Sequence, residues 1–313
     1  MAASVPAEPD LRGRAFCAEA SRAREESLEA TASRVDHWIL VEYRGGWRRD
    51  PVDGSLLSPE LKAHLRAQRD ALGHARILLV RKPERRNEAG RRVLLGISRP
   101  GEERLFELEV EHQEDLRELD LVAALASDGA PGAPVVGPLF AVCTHGKRDR
   151  CCARYGRPLY EALVEQADPG RVWQSSHVGG DRFAGNVVVL PHGLYYGRVG
   201  PGDVDTLLAA HAAGRVDLDR YRGRSIYSFP VQAAEQAIRE SAGFLGVGEL
   251  AFLRSKRLRD GTTRVRFQAP GSTVHEVDVV ATYADEPAFL TCGSTEPRRA
   301  RRCNVVKHRV LNP

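Results

Sequence analysis

The feature that most constrains the fold is an order of predicted secondary-structure elements that occurs twice along the chain. Apolar runs and helical periodicity predict strand, helix, strand, strand, strand, helix in the first half. These elements cover residues 37–43, 59–72, 75–80, 93–98, 105–110 and 116–126. The same order then returns over residues 139–142, 152–166, 172–176, 187–190, 194–199 and 203–213. Such an order is typical of a thioredoxin-like domain, so we expect two thioredoxin-like halves.

A Gly- and Pro-rich segment, SDGAPGAPVVGP from Ser127 to Pro138, has the composition of a domain boundary between these halves. After residue 225 the pattern predicts a helix and then alternating segments joined by turns. These elements cover residues 231–241, 250–258, 263–268 and 273–282. The predicted fold class is α/β (α+β), with two thioredoxin-like halves followed by a helix plus antiparallel β-meander. The predicted domains are residues 1–134, 135–225 and 226–313.

Composition narrows the class of protein and its compartment. The chain has 313 residues and a net charge of +4, and no stretch has the unbroken apolar length of a membrane span. The N-terminus lacks the apolar core of a secretion signal, so we expect a cytoplasmic protein with no membrane attachment. Six cysteines, two of them adjacent, do not form a regular disulfide framework in a chain of this size. Reduced thiols or metal-bound thiolates are therefore expected.

Four residues of the second half are candidate ligands of a metal ion or cluster: Cys143, Cys152, His177 and Asp181. Cys143 ends an apolar strand and Cys152 begins a helical pattern, while His177 follows a short strand and precedes a double-glycine turn. All four therefore lie where side chains can project into one site, and their spacings are C-x8-C and H-x3-D. Structural zinc sites usually place two cysteines closer together, so the wide spacing favours an iron–sulfur cluster.

The remaining cysteines receive less specific interpretations. We interpret Cys17 as an isolated thiol, and Cys292 and Cys303 as core or surface thiols, because their spacing resembles no common ligand pair. The adjacent Cys151 and Cys152 do not form the C-x-x-C motif of thiol–disulfide enzymes. A strained disulfide between neighbours is disfavoured, so one of the pair is expected to pack inside while the other ligates.

Two stretches, CTHGKRDRCCARYGRPLY from Cys143 and SSHVGGDRFAGNVVVLPHGLYYGRV ending at Val199, resemble the sucrase/ferredoxin-like family. That family contains thioredoxin-like [2Fe-2S] proteins and the fungal actin-patch-distal ferredoxins. Its characterised fungal members carry C-x8-C and then H-x-G-G-H, with two cysteines on one iron and two histidines on the other. Here Cys143, Cys152 and His177 match these positions, whereas Asp181 stands in place of the second histidine.

The resemblance implies a [2Fe-2S] cluster in the second half and a first half without cluster ligands. For the fourth ligand we favour Asp181, with Cys151 or His145 as alternates and an exchangeable ligand as a third option. The function implied is one-electron transfer by a carrier rather than catalysis by an enzyme. The alternatives are a thiol-dependent redox protein and a zinc-binding structural or interaction protein.

The partner expected for such a carrier is a redox protein with an acidic docking face. The C-terminal segment from Arg298 to Arg309 is strongly basic and could attract it. Aromatic residues do not interleave with these basic residues, which argues against specific nucleic-acid binding. The pattern around Val305 and Val306 is more typical of an edge strand with solvated arginines.

Overall fold

A computed structural model describes residues 15–85, 87–126 and 132–311 of the chain. The elements of the first half are α1 (Cys17–Ala23), β1 (His37–Glu42), α2 (Pro59–Leu72), β2 (Ala75–Arg81), β3 (Arg91–Ile97), β4 (Arg104–Val110) and α3 (Leu121–Ala126). Next come β5 (Ala133–Pro134), β6 (Leu139–Cys143), α4 (Arg150–Gln166), β7 (Val172–Ser175), β8 (Val187–Leu190), β9 (Leu194–Tyr196), α5 (Val204–Ala212) and β10 (Tyr221–Arg224). The last are α6 (Phe229–Ala242), β11 (Ala251–Arg257), β12 (Thr263–Gln268), β13 (Val274–Tyr283) and β14 (Arg301–Leu311).

The strands of both halves form one ten-stranded sheet in the order β10-β9-β8-β6-β7-β2-β1-β3-β4-β5. Within it β1 pairs parallel with β2 and antiparallel with β3, which pairs antiparallel with β4. The second half repeats this pattern, since β6 pairs parallel with β7 and antiparallel with β8, and β8 pairs antiparallel with β9. The prediction of two thioredoxin-like halves is confirmed. They meet where β2 pairs antiparallel with β7.

The sheet curls so strongly that residues near its two ends are in contact. Glu103, just before β4, forms an ion pair with Arg224 of β10, and the Ser98 hydroxyl donates to the carbonyl oxygen of Pro191. The concave face holds one apolar core shared by both halves, which includes Trp38, Trp173 and Tyr195. Removing this apolar surface from water is the main favourable contribution to the fold, at roughly 25 cal/mol per Å².

Helices cover the opposite face of the sheet separately in each half. In the first half α2 begins at the Ser58 cap, whose side chain accepts a hydrogen bond from the backbone N–H of Leu61. Leu61 and Leu65 are spaced by one helical turn and bury one stripe of α2 against the sheet. In the second half α4 and α5 bury Leu159, Leu163 and Leu207 in an equivalent core.

The C-terminal region is a separate antiparallel sheet of four strands, β11 to β14, packed against α6. The predicted helix and meander are therefore confirmed. β14 is an edge strand that contains most of the basic C-terminal segment. Arg309 on this strand forms ion pairs with Glu276 and Asp278 of the neighbouring β13. Part of the positive charge of β14 is therefore neutralised within the sheet.

Some predicted boundaries were wrong for local reasons. The sequence also predicts a short helix from Cys17 to Thr31, but this helix ends at Ala23. Both Glu25 and Ala30 adopt positive φ, which a right-handed helix does not allow. The helix expected over 116–126 is a 3₁₀ turn at 113–118 followed by α3. Strand β10 was not predicted. Residues 127–131 of the predicted linker lie outside the described residues. Among the helices that are described, none is long and apolar enough to cross a membrane.

Candidate metal centre

Cys143 is the last residue of β6, a strand that is buried along its whole length. The backbone N–H of Cys143 donates to the carbonyl oxygen of Asn186, which continues the pairing between β6 and β8 by one residue. Thr144 then leaves the sheet toward the loop that leads to α4. The strand therefore delivers a thiol that is 1% exposed to the point where the chain turns away.

Cys152 is brought to the same point by the start of α4. The Asp149 side chain caps this helix by accepting the backbone N–H of Cys151 at 2.9 Å, so the helix begins two residues earlier than predicted. One turn further on, Gly156 packs directly against the end of β6. A Cβ at Gly156 would overlap the carbonyl oxygen of Cys143, so only glycine allows this close approach.

His177 and Asp181 lie on the loop that follows β7. This loop turns through Gly179 and Gly180, which adopt φ values of 98° and 80° that favour glycine. The buried guanidinium of Arg222 donates to the carbonyl oxygen of Gly179 at 3.1 Å and to the side-chain oxygen of Asn186 at 2.8 Å. The Asn186 amide in turn donates to the carbonyl oxygen of Gly180. These bonds fix the loop that carries the histidine and the aspartate.

The structure brings three of the predicted residues together, and we call Cys143, Cys152 and His177 the cysteine–histidine group. Their two sulfur atoms and one ring nitrogen all lie within 4.8 Å of one another. The Cys152 sulfur is 4.0 Å from Nδ1 of His177. Asp181 lies against this group, with its carboxylate 3.4 Å from the Cys152 sulfur and 3.1 Å from Nδ1 of His177. Two thiols, an imidazole and a carboxyl group therefore converge on one buried place.

The electrostatics of the group favour one thiolate. The hydrogen bond between Cys143 and Cys152 holds the pKa of Cys143 well below its usual range against the opposing effect of burial. The same bond, together with burial, raises the pKa of Cys152 well above its usual range. Burial alone would lower the pKa of His177, but Cys143 and Asp181 beside it raise that pKa above its ordinary value. A metal cation would replace these protons, because its ligands must be deprotonated.

The two alternate ligands point elsewhere. Nε2 of His145 is 2.7 Å from the carbonyl oxygen of Arg48, and the imidazole ring packs edge-on against Trp47. The Cys151 sulfur lies 3.5 Å from the sulfur of Cys17 and 3.4 Å from that of Cys292. Neither side chain belongs to the cysteine–histidine group.

Sequence reasoning missed two sets of residues near this centre. Arg222 and Asn186, which fix the loop, carry no signal in the sequence because Arg222 lies 43 residues from Gly179 and 36 residues from Asn186 along the chain. A second set, which we call the three-cysteine group, consists of Cys17, Cys151 and Cys292. The interpretation of Cys17 as an isolated thiol is therefore wrong. The adjacency of Cys151 and Cys152 was the one available signal, since neighbours at a helix start point in different directions.

Fold and site together define a thioredoxin-like protein with a buried cysteine and histidine group that could bind metal. The sequence pattern of the family described as sucrase/ferredoxin-like matches residues 28–223, so the chain belongs to that family. It is also similar to the altered inheritance of mitochondria protein 32 of the yeast Meyerozyma guilliermondii. The two are 34% identical over 100 residues, a match that covers 28% of this chain and 35% of that protein. No solved structure matches the chain.

Proposed function

We propose that this protein is a one-electron carrier with a [2Fe-2S] cluster held by Cys143, Cys152 and His177, with Asp181 as the fourth ligand. The observation that carries the proposal is the convergence of these four side chains in a member of the sucrase/ferredoxin-like family. Two of them would supply soft thiolate sulfur once a metal is bound, one an imidazole nitrogen and one a carboxylate oxygen. Mixed cysteine and histidine ligation is an established arrangement for two-iron clusters.

When bound, the cluster would supply reversible one-electron transfer at a potential set by its ligands and surroundings. The residues of the chain control access to it. Cys143 and Cys152 are each 1% exposed, whereas the His177 side chain is 19% exposed, so the histidine is the side of the centre nearest to solvent. An imidazole in that position can also exchange a proton with water, which would couple the potential to pH.

The surface beside His177 suits an acidic redox partner. Lys147 and Arg148 are exposed on the loop between β6 and α4, and Arg148 lies close enough to act electrostatically on both His177 and Asp181. An acidic protein would therefore be steered toward the exposed edge of the centre by these cations. The basic strand β14 is a second attractive surface, although Arg309 is already paired. A cytoplasmic location remains a prediction from the sequence.

The second candidate is a zinc site formed by the same residues, and one distance favours it. Around one tetrahedral ion, a sulfur at about 2.3 Å and a nitrogen at about 2.0 Å stand roughly 3.5 Å apart. The 4.0 Å between the Cys152 sulfur and Nδ1 of His177 is close to that value. Ligands of two different irons stand farther apart, so a two-iron cluster requires the His177 loop to move outward from the cysteines.

Spectroscopy of protein purified without oxygen separates the two candidates. We expect a red-brown protein with iron and acid-labile sulfide near two per chain and a rhombic EPR signal after reduction. Zinc must be assayed on the same sample, in wild type and in the Cys143→Ser variant. A colourless protein whose zinc is lost in Cys143→Ser would overturn the electron-carrier proposal in favour of zinc at the cysteine–histidine group. Cys303→Ser is the matched control, because that cysteine belongs to neither group.

A further inference from the structure

The three-cysteine group joins parts of the chain that are far apart in sequence. Cys17 begins α1, Cys151 lies in the first turn of α4, and Cys292 lies in the loop between β13 and β14. Their sulfur atoms form a nearly equilateral triangle with sides of 3.5, 3.4 and 3.6 Å. All three are buried, with exposures of 3%, 0% and 3%. The group has no part in the electron-carrier proposal.

Disulfide bonding does not account for this triangle. A disulfide joins two sulfurs at about 2.05 Å and would leave the third thiol without a partner. Three thiolates around one tetrahedral zinc ion, each about 2.3 Å from the metal, stand roughly 3.8 Å apart. The observed separations of 3.4 to 3.6 Å are close to that geometry. Thiols that packed merely as apolar side chains would not need to converge on one point.

Asp149 completes the set of possible ligands. Both of its carboxylate oxygens lie 3.7 Å from the Cys17 sulfur, and all four side chains offer ligand atoms within 4.8 Å of one another. The carboxylate is held in place because it accepts the backbone N–H groups of Cys151 at 2.9 Å and Cys292 at 2.6 Å. Each oxygen keeps a further lone pair for a metal. Carboxylate oxygens are accepted zinc ligands beside thiolates.

Backbone donors and nearby positive charge would stabilise thiolates that are bound to a cation. The backbone N–H of Cys17 points to the Cys292 sulfur and that of Ala18 to the Cys151 sulfur, each at 3.5 Å. N–H groups directed at sulfur stabilise the negative charge of metal-bound thiolates. Cys151 also lies at the N-terminal end of a 17-residue helix, where negative charge is favoured. Arg150 and Arg154 stack on the ring of Phe16 and bring positive charge to the same end of the helix.

We propose that Cys17, Cys151, Cys292 and Asp149 bind one structural zinc ion, which fastens α1 and the loop between β13 and β14 to the start of α4. The closed set of four protein ligands is that of a structural site rather than a catalytic one. Cys151 is adjacent to Cys152, so the zinc would also fix the helix turn that carries a ligand of the cysteine–histidine group. The proposal does not depend on the identity of the metal at that group.

Zinc analysis of the full chain tests the proposal. We expect wild-type protein, after desalting and mild EDTA treatment, to retain one zinc per chain. Cys17→Ser and Cys292→Ser should lose this zinc, while Cys143→Ser and Cys303→Ser should keep it. Zinc that is lost in Cys143→Ser but kept in Cys17→Ser would overturn the proposal and place zinc at the cysteine–histidine group. A disulfide between any two of the three cysteines, found by peptide mapping without reductant, would also overturn it.

A measurement on wild-type protein covers the case in which the variants do not fold. The full chain is stripped with a strong chelator, then returned to Zn²⁺ or left without it, and both samples are treated with iodoacetamide. Peptide mass spectrometry should show Cys17, Cys151 and Cys292 alkylated at least about tenfold more slowly with zinc, because metal-bound thiolates are shielded. Cys303 should react at the same rate in both samples. Equal rates with and without Zn²⁺ at all three cysteines would contradict the proposal.

Discussion

The two halves of the ten-stranded sheet have the same topology, but the residues at the ends of their first strands have different chemistry. β6 ends in Cys143, whose sulfur meets other potential ligands. β1 ends in Glu42, a carboxylate with no exposed side-chain surface. It pairs with Arg44 at 3.0 Å and with Arg85 at 3.5 Å, and it also accepts the backbone N–H of Arg92. One half leaves its strand end able to bind a cation, whereas the other fills the place with its own arginines.

The residues after the second strands differ in the same way. His177 follows β7 and joins the cysteine–histidine group. Lys82 follows β2, donates to the carbonyl oxygen of Pro169 and stacks over Trp173, so it holds the two halves together. The difference teaches that the fold itself requires no metal at these positions. A duplicated scaffold can keep one copy for binding and use the other for support, because function depends on the side chains placed at the strand ends.

The largest expected effect on the proposed iron centre comes from Cys143→Ser. A serine hydroxyl is a poor ligand for iron–sulfur clusters, and the hydrogen bond with Cys152 holds the pKa of the Cys143 thiol well below its usual range. We expect nearly all iron and visible colour to be lost while the far-ultraviolet circular dichroism stays unchanged. Cys303→Ser should keep both. Full iron content in Cys143→Ser would show that the cysteine–histidine group is not the binding site.

Gly156→Ala should have the next largest effect. The added methyl group would overlap the carbonyl oxygen of Cys143, so α4 must move away from the end of β6 and take Cys152 with it. We expect a loss of about half the iron or more and a destabilisation of about 3 kcal/mol. Urea unfolding and iron assay measure both effects. Gly202→Ala, at a position with open space around it, is the control and should change stability by less than about 0.5 kcal/mol. Equal iron content and equal stability of the two variants would mean that the close approach of Gly156 to the end of β6 is not needed for the site or for the fold.

Asp181→His should keep the iron and change its potential. Histidine is neutral where aspartate is negative, so the oxidised centre loses stabilisation and the potential rises, by on the order of 100 mV. Redox titration followed by EPR measures the shift. Asp181→Asn removes the negative charge without supplying an imidazole. It therefore separates the effect of the charge on the potential from the effect of a new histidine ligand. A potential that stays at the wild-type value in both variants would exclude Asp181 as a ligand.

The repeated fold could be predicted from the sequence because each helix and strand is indicated by residues close together in the chain. Apolar runs such as 139–142 and the helix of 59–72 with its Ser58 cap carry their own signals, and their bounds in the structure agree within one or two residues. The convergence of Cys143, Cys152 and His177 also followed from local signals, since a strand end, a helix start and a glycine turn can each be read from neighbouring residues.

The contacts that sequence reasoning missed are all long-range. Cys17 and Cys292 lie 275 residues apart, and no local pattern relates them. The buried guanidinium of Arg222 donates hydrogen bonds to the carbonyl oxygens of Gly179 and Thr31, which lie in loops far from Arg222 in the sequence. The antiparallel pairing of β2 with β7, which unites the halves, depends on backbone geometry at their junction. Such features become visible only when the chain is folded.

The smallest expected effect on the proposed iron centre comes from Glu42→Gln in the first half. An amide cannot neutralise Arg44 and Arg85, and its NH₂ group faces donors where the carboxylate accepted hydrogen bonds. Breaking a buried ion pair in this way should destabilise the protein by about 3 kcal/mol. Because the first half supplies no ligand to the proposed iron centre, the absorption spectrum and iron content of the folded protein should equal those of wild type.

Glu111→Gln is the matched control, since the side chain of Glu111 is 86% exposed. It should change stability by less than about 0.5 kcal/mol. The comparison between the halves would fail in either of two ways. Loss of iron from folded Glu42→Gln protein would mean that the first strand end contributes to the centre. Unchanged stability would mean that the arginines around Glu42 do not depend on its charge, and that the first half does not use this buried carboxylate for support.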